Sequence, residues 1–272
     1  MIASGFAHAG ANVLITSRDE NACREAVASI ERDVFQHSNN SKFNYNNKIY
    51  YVASNIGTRN GCKELAEYTK KLFNGRLDVL VNNAGTSWGE DPYERESGRA
   101  NWGWDKVMDL NVKGMFYLSR ECVPMLERDC STGTQKCDPG RIINIGSIAG
   151  IISQEAPTHA YDVSKAAVHH LTKKMAADLA HKQITVNAIA PGYIPSRMSN
   201  GLKTYIDDNS NVDVTPAKDK IARSIPLKRM GDEDDMAGAA IYLSSKAGAW
   251  TTGVILNVDG GACTIQMPLS SL

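Results

Sequence analysis

Arg141-Ile142-Ile143-Asn144-Ile145-Gly146-Ser147, followed after a loop by Tyr161-Asp162-Val163-Ser164-Lys165, is the stretch whose reading decides the fold. Ile142, Ile143 and Ile145 form a β-branched run bounded by Gly146, the pattern of a buried parallel strand. Ser147 then lies just past the strand's carboxyl end, the edge at which open α/β sheets bind ligands. From Tyr161 the pattern turns helical, with Val163, Ala167, Val168, Leu171 and Met175 apolar and Lys173, Lys174 and Asp178 polar. Tyr161 and Lys165 therefore share one helix face.

That pairing has a chemical meaning. A phenol with a pKa of about 10 exchanges protons poorly near neutral pH, and an ammonium one helical turn away favours its anion. Tyr161 can then trade a proton with a carbonyl or alcohol oxygen, while Ser147 hydrogen-bonds the same oxygen and steadies its developing charge. A Tyr and a Lys four apart also occur by chance: Tyr242 and Lys246 have the same spacing, at the end of a helical segment with no strand-end Ser before them. Context carries the signal.

With that context the chain resembles the short-chain dehydrogenases/reductases of the single-domain type. The motifs are Asn82-Asn83-Ala84-Gly85, Asn111, Ser147, Tyr161-x-x-x-Lys165, Pro191-Gly192 and Thr252-Gly-x-x-x-x-x-Asp259-Gly-Gly261, in the family's order. The resemblance covers residues 1 to about 262. It implies an α/β fold, a doubly wound parallel Rossmann-like sheet with helices on both faces, in one domain over residues 1–263. Residues 264–272 form a tail.

Composition adds limits. A chain of 272 residues with 42% hydrophobic content can fill the core of such a domain. Thirty basic and thirty acidic side chains cancel, so no global field attracts nucleic acid or an anionic membrane. No apolar run approaches a membrane span, and the chain is expected to be soluble and cytoplasmic. Six cysteines without C-x-x-C spacing or His partners read as free thiols rather than as metal ligands, although Cys130 and Cys137 share a polar loop and could cross-link on oxidation. The ending Leu-Ser-Ser-Leu272 lacks the basic residue of a peroxisomal signal.

Taken in order, residues 1 to 9 are helical in pattern, with Gly10 as the terminating glycine, and Asn12 to Thr16 read as a strand. A helix leading into a parallel strand is itself expected to follow a strand. The sequence therefore predicts a sheet with its first strand missing, together with the glycine-rich turn that in the family cradles the cofactor pyrophosphate. A poorly stable fold and weak cofactor binding are the expected consequences.

Ser17 and Arg18 stand where the family reads the adenosine ribose. No acidic residue is there to bind a free 2′-hydroxyl, and Arg18 suits a 2′-phosphate, which favours NADP over NAD. Arg18 also reads simply as the start of the following amphipathic helix. Residues 36 to 48 are polar and Asn-rich and read as a surface loop. Asn55 stands where the family usually has an Asp on the adenine amino group, and its carbonyl oxygen can still accept that bond. The resemblance further assigns Asn83 and the backbone around Ile194 and Ser196 to the cofactor, and Lys165 to the nicotinamide ribose. Asn111 lies inside a long helical stretch, a position Asn does not favour. In the family a main-chain distortion there holds a water linking Lys to bulk; a solvent-facing Asn is the plainer alternative. Residues 197–225 correspond to a substrate lid.

The function implied is hydride transfer between NADP(H) and a small-molecule ketone or secondary alcohol, with Tyr161 as proton donor, Ser147 polarising, Lys165 tuning Tyr161 and Asn111 completing a proton relay. A 3-oxoacyl thioester and an assorted small ketone remain equally open as substrates. No metal, nucleic acid or membrane partner is implied, and the helices near residues 111–126 and 161–181 match the family's homodimer and homotetramer surfaces. The competing class is a truncated, catalytically silent member that serves as a binding or oligomerisation partner.

Overall fold

A computed structural model describes residues 1–39, 47–89, 93, 100–129, 137–153, 156–196 and 215–264. The described elements in order are α1 (Ile2–His8), β1 (Val13–Ser17), α2 (Glu20–Asn39), β2 (Ile49–Ala53), α3 (Arg59–Leu72) and β3 (Val79–Asn82). There follow α4 (Ala100–Met108), a π-helical segment (Asp109–Gly114), α5 (Met115–Leu126), β4 (Gly140–Ile145) and α6 (His159–Leu179). The chain continues through β5 (Ile184–Pro191), α7 (Thr215–Ser224), α8 (Glu233–Ser244) and β6 (Ile255–Val258).

Local chemistry explains several boundaries. Gly10 takes φ +87° just past α1, a left-handed conformation that side chains resist. Thr58 caps α3 by accepting the Gly61 amide at 3.1 Å. Asp232 caps α8 through a reciprocal capping box with Asp235. Helix α2 runs to Asn39, so residues 36–39 are helical and not loop as the sequence reading had them. Val27, Ile30 and Val34 anchor this helix, and residues 36–39 contain neither Gly nor Pro to stop it. Most of the expected lid, residues 197–214, lies outside the described residues, as do residues 265–272 of the tail.

All strand pairs are parallel, but the described strands fall into two hydrogen-bonded groups, β1-β2 and β3-β4-β5-β6. Shared helix layers join the two groups. On one face, Leu14 of β1, Val52 of β2 and Leu80 of β3 pack into one cluster with Leu65 of α3, Leu118 of α5 and Met175 of α6. On the other, α1 straddles the division: Ala3 and Ala7 meet Val13 and Ile15, while Ile2 and Phe6 belong with Val79, Val81 and residues of α8.

The alternation of parallel ladders shows what the division leaves open. On β1, Val13 donates to Lys48 and Ser17 accepts from Ser54, so residues 13, 15 and 17 address β2 and the peptide groups of Leu14 and Thr16 turn the other way. On β3, the Asp78 carbonyl accepts from Arg141, so residues 78, 80 and 82 address β4 while Val79 and Val81 turn toward β1. Strands β1 and β3 are accordingly only half-buried along most of their length, whereas β4 and β5 are almost fully buried. Among the described residues no strand hydrogen-bonds β1 to β3.

Among the described residues no helix is long and apolar enough to cross a membrane, and no cluster of His, Cys, Asp and Glu could hold a metal ion. Cys23, Cys62, Cys122 and Cys263 are free, but Cys137 is disulfide-bonded, which corrects the reading of six free thiols. Cys137 lies just before β4 and is half-buried.

Candidate active site

Parallel strands bring every carboxyl end to one edge, and that edge collects the residues the sequence singled out. Beneath it a buried polar ladder fixes the strands to their helices. Asn82 Nδ2 donates to Ser119 Oγ of α5 and to Asn144 Oδ1 of β4, both at 2.8 Å, and Asn144 Nδ2 donates to Thr172 Oγ1 of α6 at 2.9 Å. Asn144, Ser119 and Thr172 are fully buried, so each bond avoids the cost of an unpaired polar group.

Strand β4 ends at Ile145, and the chain turns through Gly146 into a short 3₁₀ turn over Ile148–Gly150. Ser147 opens that turn, its Oγ accepting the Ala149 amide at 3.1 Å, and its hydroxyl is a hydrogen-bond partner of the Tyr161 phenol. Tyr161 and Lys165 lie one turn apart on α6, with Lys165 Nζ 5.4 Å from the centre of the Tyr161 ring. Nζ is buried and donates to the Ile145 carbonyl at 2.7 Å.

Burial pushes the Lys165 ammonium down to about 8, since no carboxylate faces it. Burial also raises the Tyr161 phenol; the Ser147 hydrogen bond pulls the other way, and Asp162 adds to the rise. The expected lowering of Tyr161 by Lys165 is therefore not what this arrangement gives. Burial dominates, and the Lys165 ammonium is bonded to the Ile145 carbonyl.

Asn111 sits within the π-helical segment and is 3% exposed, which disposes of the solvent-facing alternative. Its side chain is fully used: Oδ1 accepts from the Thr86 amide, and Nδ2 donates to the Thr86 carbonyl and to Ser164 Oγ, each at 2.9 Å. Ser164 in turn donates to the Tyr161 carbonyl at 2.7 Å. Asn111 thus ties the loop after β3 to the helix of Tyr161, and the widened helical turn is where its backbone departs from α geometry. Ser164 and Thr86 were not singled out from sequence. A Ser inside Tyr-x-x-x-Lys carries no separate signal.

The remaining candidates line the same edge. Ser17 is exposed at the end of β1 and accepts the Asp19 amide at 3.2 Å, while exposed Arg18 makes no ion pair among the described residues. Asp19 accepts from Ala22 at 3.0 Å, so it is Asp19 that serves the first turn of α2. Asn55 is exposed beyond β2, but its Oδ1 already accepts the Gly57 amide at 3.2 Å, which reduces its capacity toward an adenine. Asn83 is exposed beyond β3. Beyond β5, Ile194 packs against Gly231, where an added Cβ would stand 2.9 Å from Ile194 Cγ1, and Ser196 is half-buried. The decoy pair is elsewhere: Tyr242 is exposed and near Thr251, its OH 3.4 Å from Thr251 Oγ1. A groove of about 410 Å³ lined by Arg24, Glu31, Tyr50, Tyr51 and Tyr68 lies at the β2 edge, away from this constellation.

The chain is similar to known proteins. Residues 1–263 match the family described as enoyl-(acyl carrier protein) reductase. A 3-oxoacyl-[acyl-carrier-protein] reductase of rhamnolipid biosynthesis from Pseudomonas aeruginosa is 37% identical over 96% of this chain and 90% of its own length. A galactitol 2-dehydrogenase from Rhizobium johnstonii is 31% identical over 94% of this chain and 87% of its own length. Among solved structures, the Pseudomonas aeruginosa RhlG/NADP active-site complex superposes with a TM-score of 0.78 at 37% identity, over 96% of this chain and 90% of that one. A short-chain type dehydrogenase/reductase from Mycobacterium marinum gives 0.77 at 26% identity, over 98% and 90%. With its motifs, its parallel fold and a family match over nearly its whole length, the chain belongs to the short-chain dehydrogenase/reductase family of oxidoreductases, in the group described as enoyl-(acyl carrier protein) reductase.

Proposed function

We propose that this chain reduces the ketone of a 3-oxoacyl thioester to the secondary alcohol with NADPH, as a cytoplasmic homodimer or homotetramer built from one domain over residues 1–263. The observation that carries the reading is the convergence of Ser147, Tyr161 and Lys165 on one strand edge, with Asn111 of the π-helical segment held beside them. The relative from rhamnolipid biosynthesis supports the thioester over an assorted small ketone, and partly exposed Phe116 and Val163 on α5 and α6 support pairing through those helices.

The residues at the carboxyl edge fit the nicotinamide half of the cofactor: Lys165 has a buried ammonium with a backbone carbonyl as its partner, and Ile194 offers an apolar wall. Ser17 and Arg18 suit the 2′-phosphate, and Asn83 stands between the two halves of the edge. When bound, NADPH supplies the hydride. Tyr161 donates its phenolic proton to the substrate carbonyl oxygen, and Ser147 hydrogen-bonds that oxygen as negative charge develops on it. The Lys165 ammonium, 5.4 Å from the centre of the Tyr161 ring, stands one turn from the phenolate left behind, and the Asn111 turn returns a proton from bulk water through Lys165.

Between β1 and β3 the two described groups of strands are not joined by hydrogen bonds. A strand pairing there would be followed by a turn whose backbone N–H groups suit a pyrophosphate.

The test is NADPH titration by fluorescence together with reduction of a 3-oxoacyl thioester and of a small cyclic ketone. Tyr161→Phe should lower kcat by roughly 10²- to 10⁴-fold, the contribution of a positioned acid, with little change in NADPH affinity. Tyr242→Phe should leave both unchanged. Equal losses from the two substitutions would remove Tyr161 from the mechanism.

A further inference from the structure

His169 follows Lys165 by one turn on the same face of α6, and the mechanism above does not use it. Its ring is 7% exposed, and its Nε2 is buried without a hydrogen-bond partner. The ring edge lies on Gly146: a Cβ at that position would stand 2.2 Å from Nε2 and 2.7 Å from Cδ2. The Gly150 carbonyl also faces the imidazole as a hydrogen-bond acceptor. Gly146 and Gly150 are the two ends of the turn that carries Ser147.

The same turn is held against α6 at other points. Lys165 Nζ holds the Ile145 carbonyl, and a Cβ at Gly150 would stand 2.5 Å from the Lys165 carbonyl carbon and 2.6 Å from the Ala166 nitrogen. The turn therefore lies directly on the helix backbone, with the imidazole filling the space that Gly146 leaves. A longer ring would push the strand end away, and a shorter side chain would leave a void beneath it.

We propose that His169 is a positioning residue for Ser147: its ring wedges between the two ends of the 146–150 turn and sets the direction of the Ser147 hydroxyl toward Tyr161. The inference rests on the oxidoreductase reading for its consequence but on geometry alone for its position. A neutral ring suits the site. An imidazolium would add a second buried cation one turn from Lys165, and burial, then Lys165 and Lys173, hold the ring below its ordinary value against the pull of the Gly150 carbonyl. The residues of the 146–150 turn itself carry no titratable side chain.

The experiment follows the Tyr161 phenol in the protein without cofactor, so that it does not depend on turnover. With ζ-¹³C-tyrosine incorporated, the Tyr161 resonance is assigned by its loss in Tyr161→Phe and compared among His169→Gln, His169→Phe and His169→Ala. Glutamine reaches as far as the imidazole and should keep the wild-type shift. Phenylalanine is too long and alanine too short, and both should move the resonance and lower kcat by about tenfold or more at unchanged KM, as expected of a misplaced catalytic group. If Phe fails to fold, Ala carries the comparison. An unmoved Tyr161 resonance in folded His169→Ala would overturn the proposal, as would equal shifts for Gln and Ala. Absence of ketone reduction in the wild type, with the resonance moving as described, would overturn the proposed reaction and leave the positioning role standing.

Discussion

Lys165 Nζ donates to the carbonyl oxygen of Ile145 at 2.7 Å, so the ammonium that the sequence aligns with Tyr161 is tied instead to the end of strand β4. The bond satisfies one of three ammonium protons in a site that excludes water, and burial lowers the pKa from 10.5 to about 8. Stability therefore depends on pH at this one residue. Below about 8 the charged form is present in both folded and unfolded chains, and its burial penalty is fully felt. Between about 8 and 10.5 the folded chain releases the proton while the unfolded chain retains it, so stability from this group rises with pH.

Lys165→Met should accordingly stabilise the fold at pH 7 while abolishing turnover. The gain is at most roughly 3 kcal/mol, the worth of a shift of this size. Melting of both proteins from pH 7 to pH 10.5 checks it, with the difference expected to shrink as pH rises. A difference that grows with pH would refute the account of Lys165.

Arg18→Glu places a carboxylate at the end of β1, where a 2′-phosphate would lie. Affinity for NADPH should fall by about tenfold or more relative to NADH, through loss of a charge-assisted pair and gain of like-charge repulsion. Competitive binding of the two nucleotides measures it. An unchanged preference would make Arg18 only a residue of the α2 start.

A strand supplied between β1 and β3 should stabilise the sheet. A segment of five β-branched residues and a glycine-rich turn, fused ahead of Met1, could pair with Leu14 and Thr16 on one side and Val79 and Val81 on the other. Each buried peptide group that gains a partner avoids a penalty of about 1 to 3 kcal/mol, so a rise of many degrees in Tm is expected, with tighter NADPH binding. A matched fusion with Pro at alternate positions should do neither. Equal melting of all three proteins would mean that no strand seats between β1 and β3.

Asn144→Leu tests the polar ladder under the site. It removes the acceptor of Asn82 and the donor to Thr172, and each group left unpaired costs about 1 to 3 kcal/mol. Urea unfolding should show a loss several times that of Asp232→Ala, which removes an exposed helix cap worth about 1 kcal/mol and a 3.8 Å surface contact with Arg229. Comparable losses would show that the ladder is not stabilising.

The sequence by itself determined the periodic parts of this protein. The isoleucines of β4, the apolar run of β3 and the amphipathic faces of α3 and α6 each state their burial in one local window, and the strand-end Ser147 with Tyr161 and Lys165 follows from them. Residues 36–39 were misread because polarity suggests a loop, whereas Val27, Ile30 and Val34 hold the helix they continue. Only the tertiary structure decided where the Lys165 charge goes, how Asn111 uses Thr86 and Ser164, and that His169 meets both ends of the Ser147 turn. Those contacts join residues far apart in the chain, and hydrogen-bond direction and desolvation have no value until the packing that creates them is formed.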